Sequence, residues 1–366
     1  MLLEKGFVKT RQSPSRNEKL SHGKRRVQKF YDILKDPEGT LDLDLSRISI
    51  EIRTILSEGD VKHLTALFHA LLVRATRNLD GTQNPFAIAN LKHVSLHYRD
   101  IENARNEIND FFKQRGENQN LADIALLNAA AHDIGKVAEI LGIISLETKD
   151  VYDAVASEHP SQAFFLKTIL GHDGLTMDGI EKTVSVFAKG RRISAEKAHR
   201  LTSLLQAASA RHNGGYGELP NDFQSGLFHF WQLHFPQFAN ALREQGIDVP
   251  NQYPTVCGGW VPVLLALIDR GTSLHPSFIE KIANEGDFEL RGDTPKQLIC
   301  NNARSVMAEI DCIGRELQKY ITNGKSIAEF SLYKKYAKIA SLAESAAGDS
   351  TKTLITYTPI DTSAPK

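Results

Sequence analysis

Ala130-Ala131-His132-Asp133-Ile134-Gly135-Lys136 closes the apolar stretch Ile124–Ala131. A charged aspartate and a histidine set against a core-facing run cost free energy unless something pairs with them. Neighbouring positions on a regular helix diverge by about 100°, so His132 and Asp133 would not both face one small ion squarely. They can serve two ions, with the carboxylate bridging and the imidazole terminal on one. Lys136 lies three residues after Asp133, on the same helical face, and can reach an anionic substrate oxygen. Taken alone, the dipeptide is also what a capped helix end with a chance His-Asp pair would show.

Outward from this stretch the pattern stays helical. Ile48, Ile52, Ile55 and Leu56 fall at i, i+4, i+7 and i+8, and Leu64, Leu67, Leu71 and Leu72 repeat the spacing. Segments 121–144, 161–170, 195–210, 261–268, 297–320 and 326–346 read the same way, and runs of alternating β-branched residues are nearly absent. The expected class is all-α: a helical bundle with inserted loops and additional C-terminal helices. Residues 1–40 read as a flexible arm, because nine Lys and Arg in the first thirty positions face only Glu4 and Glu18. Residues 41–290 form the main domain, 291–347 are helices packed on it, and 348–366 form a flexible tail. Five prolines between Pro220 and Pro262 predict an irregular, excursive insert over 221–259.

Composition narrows the class. Forty-four basic and 44 acidic residues cancel, which argues against a whole-surface polyanion binder but leaves a local basic patch open, and with it nucleic-acid contact through the arm. Three cysteines are too few and too scattered for a disulfide framework or a zinc knuckle. The longest apolar run, Trp260 to Ile268, is too short to span a bilayer. Glu4 and Lys5 follow Met1–Leu3 directly, so no secretory leader is expected. These readings predict a cytoplasmic protein with no membrane partner, and they leave the oligomeric state open.

The local sequence around His132 and Asp133, with its Ile-Gly-Lys extension, resembles the HD superfamily of metal-dependent phosphohydrolases. Four outlying stations fit the same resemblance. His97, with Ile101 and Ala104, matches an upstream histidine that opens a helix, 35 residues before His132. His159-Pro160, ahead of an apolar segment, matches a downstream His-Pro station. Arg211-His212 precedes a Gly214-Gly215-Tyr216-Gly217 turn, and Asp269 ends the apolar segment Leu264–Ile268.

The resemblance implies two divalent ions held by His97, His132, Asp133, His159, His212 and Asp269, with Asp133 bridging. Iron, manganese, zinc or magnesium would suit such nitrogen and oxygen donors. His93, four residues before His97, is a candidate extra ligand or, equally, a histidine that supports a ligand or lies at the surface. Lys136, with Asp133, is assigned to catalysis, and Lys136 and Arg211 to binding a phosphate-ester substrate derived from nucleotides. His172, in Gly-His-Asp-Gly, competes for the role of His159 but stands at the end of its segment.

Within the superfamily the pattern looks most like the HD-GYP cyclic-dinucleotide phosphodiesterases. It departs from them where Arg211 and Asn213 replace a histidine and a glutamate, and where the turn reads Gly-Tyr-Gly instead of Gly-Tyr-Pro. An HD-type nuclease and a nucleotide phosphohydrolase share the same centre. A non-catalytic module that binds nucleotide or protein is the alternative of a different class. Its support is the aromatic insert with Phe228, Phe230, Trp231, Phe235 and Phe238.

Overall fold

A 3-10 turn, Leu45–Arg47, leads into α1 (Ile48–Ile55), and Ser57 then caps α2 (Glu58–Ala75) by accepting from the Asp60 N–H. There follow α3 (Pro85–Asn103), α4 (Arg105–Phe111), α5 (Leu121–Ala131), α6 (Gly174–Arg191) and α7 (Ala195–His212). The order ends with α8 (Leu227–Glu244), α9 (Trp260–Thr272), a 3-10 turn Ile327–Glu329 and α10 (Ser331–Gly348). The computed structural model describes residues 24–25, 27–33, 43–77, 81–113, 120–136, 174–212, 227–244, 246–250, 258–273, 275, 306 and 309–348. Among them the fold is all-α, and the sole β feature is an isolated bridge between Arg77 and Gln83.

Two helices organise the core because they are apolar all round. In α5 every residue except Leu126 is buried, and the helix packs against α1, α2, α3, α4, α7 and α9. Its first turn gains an acceptor from a neighbour: Asn109 Oδ1 on α4 accepts from Leu121 N at 2.7 Å and from Ala122 N at 3.3 Å. The second, α9, is buried from Trp260 through Ile268 and lies against α3, α5, α7 and α10. Gly258 and Gly259 set its start with φ of 132° and 79°. A Cβ on Gly259 would stand 2.0 Å from the Leu45 carbonyl oxygen, a backbone atom that cannot move alone. Gly259→Ala combines a left-handed backbone with this clash and is expected to cost about 3 kcal/mol or more, read as a lowered urea midpoint.

Three expectations change on contact with the structure. The first concerns the arm: residues 27–33 are helical, and Val27, Phe30, Tyr31 and Ile33 are buried. Their i, i+3, i+4 spacing gives an apolar face that outweighs the flanking charge, and Lys29 points away to an ion pair with Glu181 at 2.6 Å. Residues 1–23 lie outside the described residues.

The second concerns the insert. Within 221–259, Leu227–Glu244 is a helix that carries Pro236. Phe235, Ala239, Ala241 and Leu242 are buried, and Phe235 meets the Tyr31 ring at 6.3 Å. The proline count concealed this helical face.

The third concerns the helix expected over 121–144. It ends at Ala131, turns over His132–Asp133 and resumes at 134–136, beyond which the residues are not described. The break has a cause on α6. Thr176 Oγ1 donates to the His132 carbonyl at 3.0 Å and accepts from Gly135 N at 3.1 Å, so a side chain replaces helical backbone bonds. One turn further, Gly179 comes so close to Ile134 that a Cβ would lie 2.8 Å from Ile134 Cγ2.

Candidate metal centre

The turn changes what His132 and Asp133 can do. On a regular helix they would diverge; here His132 Nε2 lies 3.6 Å from Asp133 Oδ2, and both side chains are buried. They can therefore address the same point. Asp133 Oδ2 also accepts from Lys136 Nζ at 2.6 Å, so the lysine that was expected to meet substrate stands on the aspartate.

Two further helices bring histidines to this turn, and a third brings an aspartate. His97 of α3 stands 5.1 Å from His132 between ring centroids, His212 at the end of α7 stands 5.0 Å from it, and His93 stands 4.4 Å from His97. Asp269 of α9 completes the group, with Oδ1 3.0 Å from His93 Nε2 and 3.7 Å from His97 Nε2. The tightest set of candidate ligands among the described residues is His93, His97 and Asp269, whose donor atoms lie within 4.8 Å of one another. His93, carried from the sequence only as an extra ligand, thus belongs to the centre of the group. His159, His172 and the glycine turn at 214–217 lie outside the described residues.

Hydrogen bonds assign the tautomers. His132 Nδ1–H donates to the Ala129 carbonyl at 2.8 Å, which leaves the lone pair on Nε2. His212 Nδ1–H donates to the Ser209 carbonyl and likewise leaves Nε2 as acceptor. The Thr272 hydroxyl donates back to the Ile268 carbonyl at 2.9 Å, so its oxygen accepts from His97 Nε2–H at 2.9 Å and the His97 lone pair sits on Nδ1. His97 Nδ1 and His132 Nε2 are both buried with no hydrogen-bond partner among the described residues. Buried acceptors in that state are costly, and a cation at His132 Nε2, which faces Asp133 Oδ2, would relieve that cost there.

The electrostatics agree. Burial, with His93 and His132 adding to it, holds His97 well below its usual pKa against the pull of Asp269 and Asp133. Burial lowers His132 in the same way, and it pushes His212 down to about 3. Burial works to raise Asp269, yet the His93 hydrogen bond and the nearby histidines hold it well below the usual carboxylate range. The His93 N–H donates whether or not that ring is charged, so this cause persists at neutral pH. Neutral His97, His132 and His212 rings around an ionised, partly buried Asp269 carboxylate are the protonation states that metal ligation requires.

Arg211 adjoins His212 but leads elsewhere. Its guanidinium lies against Gly258, where a Cβ would meet Nη1 at 1.8 Å, so its charge sits beneath the start of α9. Of the residues around the centre, sequence reasoning missed Thr272, Thr176 and Asp100. Thr272 had a signal, since it follows Asp269 by three positions on one helical face. Thr176 had none, because it reaches the turn from 44 residues downstream. No family model, no curated protein and no solved structure matches this chain.

Proposed function

We propose that the protein is a metal-dependent phosphohydrolase of the HD type that cleaves a phosphodiester, with a cyclic dinucleotide as its substrate, in a cytoplasmic setting. The observation that supports this reading most is the gathering of His93, His97, His132, Asp133, His212 and Asp269 from three helices and one turn, with two buried imidazole lone pairs unsatisfied among the described residues. His97, His132, Asp133, His212 and Asp269, with His159, would hold two divalent ions, and His93 stands close enough to contribute. Bound there, divalent ions supply Lewis acidity towards a phosphoryl oxygen and lower the pKa of a water.

The chain's own residues account for the rest. The backbone carbonyls of Ala129 and Ser209 hold the His132 and His212 rings with Nε2 free to ligate before anything binds, and the Thr272 hydroxyl orients the His97 ring through Nε2. Lys136, at the accessible edge of the group, puts a positive charge beside Asp133, where it can neutralise charge growing on a phosphoryl oxygen. Burial of the ligands excludes bulk water and strengthens both effects.

The test is metal analysis of purified protein together with a hydrolysis screen, with Mn²⁺, Fe²⁺, Zn²⁺ or Mg²⁺ added, against cyclic dinucleotides, nucleotides and single-stranded nucleic acid. The expected result is about two ions per chain and a linear dinucleotide product. Turnover confined to nucleotides or to polynucleotides would move the substrate to the alternative phosphohydrolase or nuclease. Metal uptake without turnover of any phosphate ester would favour a binding module. That last reading loses part of its support where Phe235 of the aromatic insert turns out to be core.

A further inference from the structure

Asp100 follows His97 by three residues on α3, and its buried carboxylate is held by two side chains of the C-terminal helix. Lys335 Nζ donates to Oδ1 at 2.6 Å and to Oδ2 at 2.7 Å, and the Tyr336 hydroxyl donates to Oδ2 at 2.5 Å. The Tyr336 ring, itself buried, presses on α9: a Cβ added at Gly271 would stand 2.2 Å from its Cγ and Cδ1. Gly271 is two residues beyond Asp269 and precedes Thr272, the acceptor for His97. One side chain of α10 thus touches both helices that bring His97 and Asp269 together. The C-terminal part of the chain also meets the other end of α9, where Gly258 N–H donates to the Tyr320 hydroxyl at 3.2 Å.

Packing alone does not call for this chemistry. An apolar side chain at 336 would bury α10 as well, and a buried carboxylate costs several kcal/mol unless it is well paired. Apolar contact tolerates sliding between helices. A lysine on both carboxylate oxygens plus a short tyrosine hydrogen bond fixes one register. The atoms so fixed lie one helical turn from His97 and half a turn from Asp269.

We infer that Tyr336, together with Lys335, is a positioning residue of the metal centre: from the C-terminal helix it clamps α3 to α9 and so sets the separation of His97 from Asp269. The inference rests on the metal-centre reading above. Gly271 is the matching adaptation on α9, because only a residue without Cβ admits the ring at that distance.

The test titrates metal-free, full-length protein with Co²⁺, following affinity and the visible absorption of the saturated site beside thermal unfolding. Tyr336→Phe keeps the ring and removes only the hydroxyl. It is expected to weaken Co²⁺ binding by about tenfold or more, as loss of a group that orients ligands does, and to change the spectrum at saturation. Lys335→Met should act in the same direction, and it decides the matter if Tyr336→Phe does not fold. Tyr333→Phe removes a hydroxyl from the same helix, one that donates to Asp311 at 3.2 Å, and should leave affinity and spectrum unchanged. Tyr336→Phe and Lys335→Met proteins that unfold earlier but bind Co²⁺ with wild-type affinity and spectrum would reduce the clamp to packing and overturn the inference alone. A wild-type protein that takes up no Co²⁺ would overturn the metal-centre reading and the clamp with it.

Discussion

Asp133→Asn is expected to lower hydrolysis at least about a hundredfold, the scale seen when a group that stabilises the transition state is removed, and to release at least one bound ion. Asparagine keeps the size of the side chain, and its oxygen can still accept from Lys136, which now stands 2.6 Å away. What it loses is the negative charge 3.6 Å from His132 Nε2, at the point where the turn brings the two side chains together. The fold should survive. Lys136 is only partly buried and can turn its ammonium to water once Asp133 is neutral. Metal analysis, initial rates and a melting curve on the same preparation check all three statements. Full activity with undiminished metal content would remove Asp133 from the centre.

The fold class was legible because helical periodicity is a local signal. Ile48, Ile52, Leu64 and Leu72 are buried at the positions their spacing marks, and α9 is as buried as its unbroken apolar run requires. Boundaries failed where a distant residue decides. Nothing between Leu121 and Lys136 says that Thr176 will insert at His132 and end the helix there. The insert failed for the opposite reason: prolines on either side of 227–244 and Pro236 within it outweighed an apolar face that needed Tyr31 and the core to become visible.

The centre shows the same division. His97, His132, Asp133, His212 and Asp269 could be marked only through the resemblance to the HD pattern, and the structure brings them together across 172 residues of sequence. The geometry within the group could not be marked. A 100° divergence was the right expectation for a helix and the wrong one for a turn, so the joint action of His132 and Asp133 was hidden. His93 read as a possible surface residue because its partner, Asp269, lies 176 positions away. Arg211 read as a substrate contact because it precedes His212, yet adjacent positions at a helix end face different ways, and its guanidinium went to Gly258.

Metal-free protein is expected to lose stability steeply as pH falls below about 6.5, the ordinary pKa of histidine in an unfolded chain. Burial holds His97, His132 and His212 below that value in the folded state, His212 at about 3. Above about 6.5 all three are neutral in both states and contribute no pH dependence. Below it the unfolded chain takes up protons that the folded chain refuses, so unfolding is favoured by up to about 1.4 kcal/mol per pH unit for each ring.

For His212 this window runs from about 6.5 down to about 3. The three rings together give a slope near 4 kcal/mol per pH unit at its steepest, against a total stability of roughly 5–15 kcal/mol for an ordinary domain. Asp269 acts in a different window: its depressed carboxyl adds stability that is complete above about pH 4 and is lost only as pH falls towards its folded value. It therefore does not mask the histidines between pH 5 and 6.5. Urea unfolding in the presence of a chelator at pH 7.5, 6.5, 6.0 and 5.5 measures the slope. His212→Gln should reduce it by close to one proton. A slope that is flat across this range would mean that the imidazoles are not held neutral, and the ligating state derived for them would go with it.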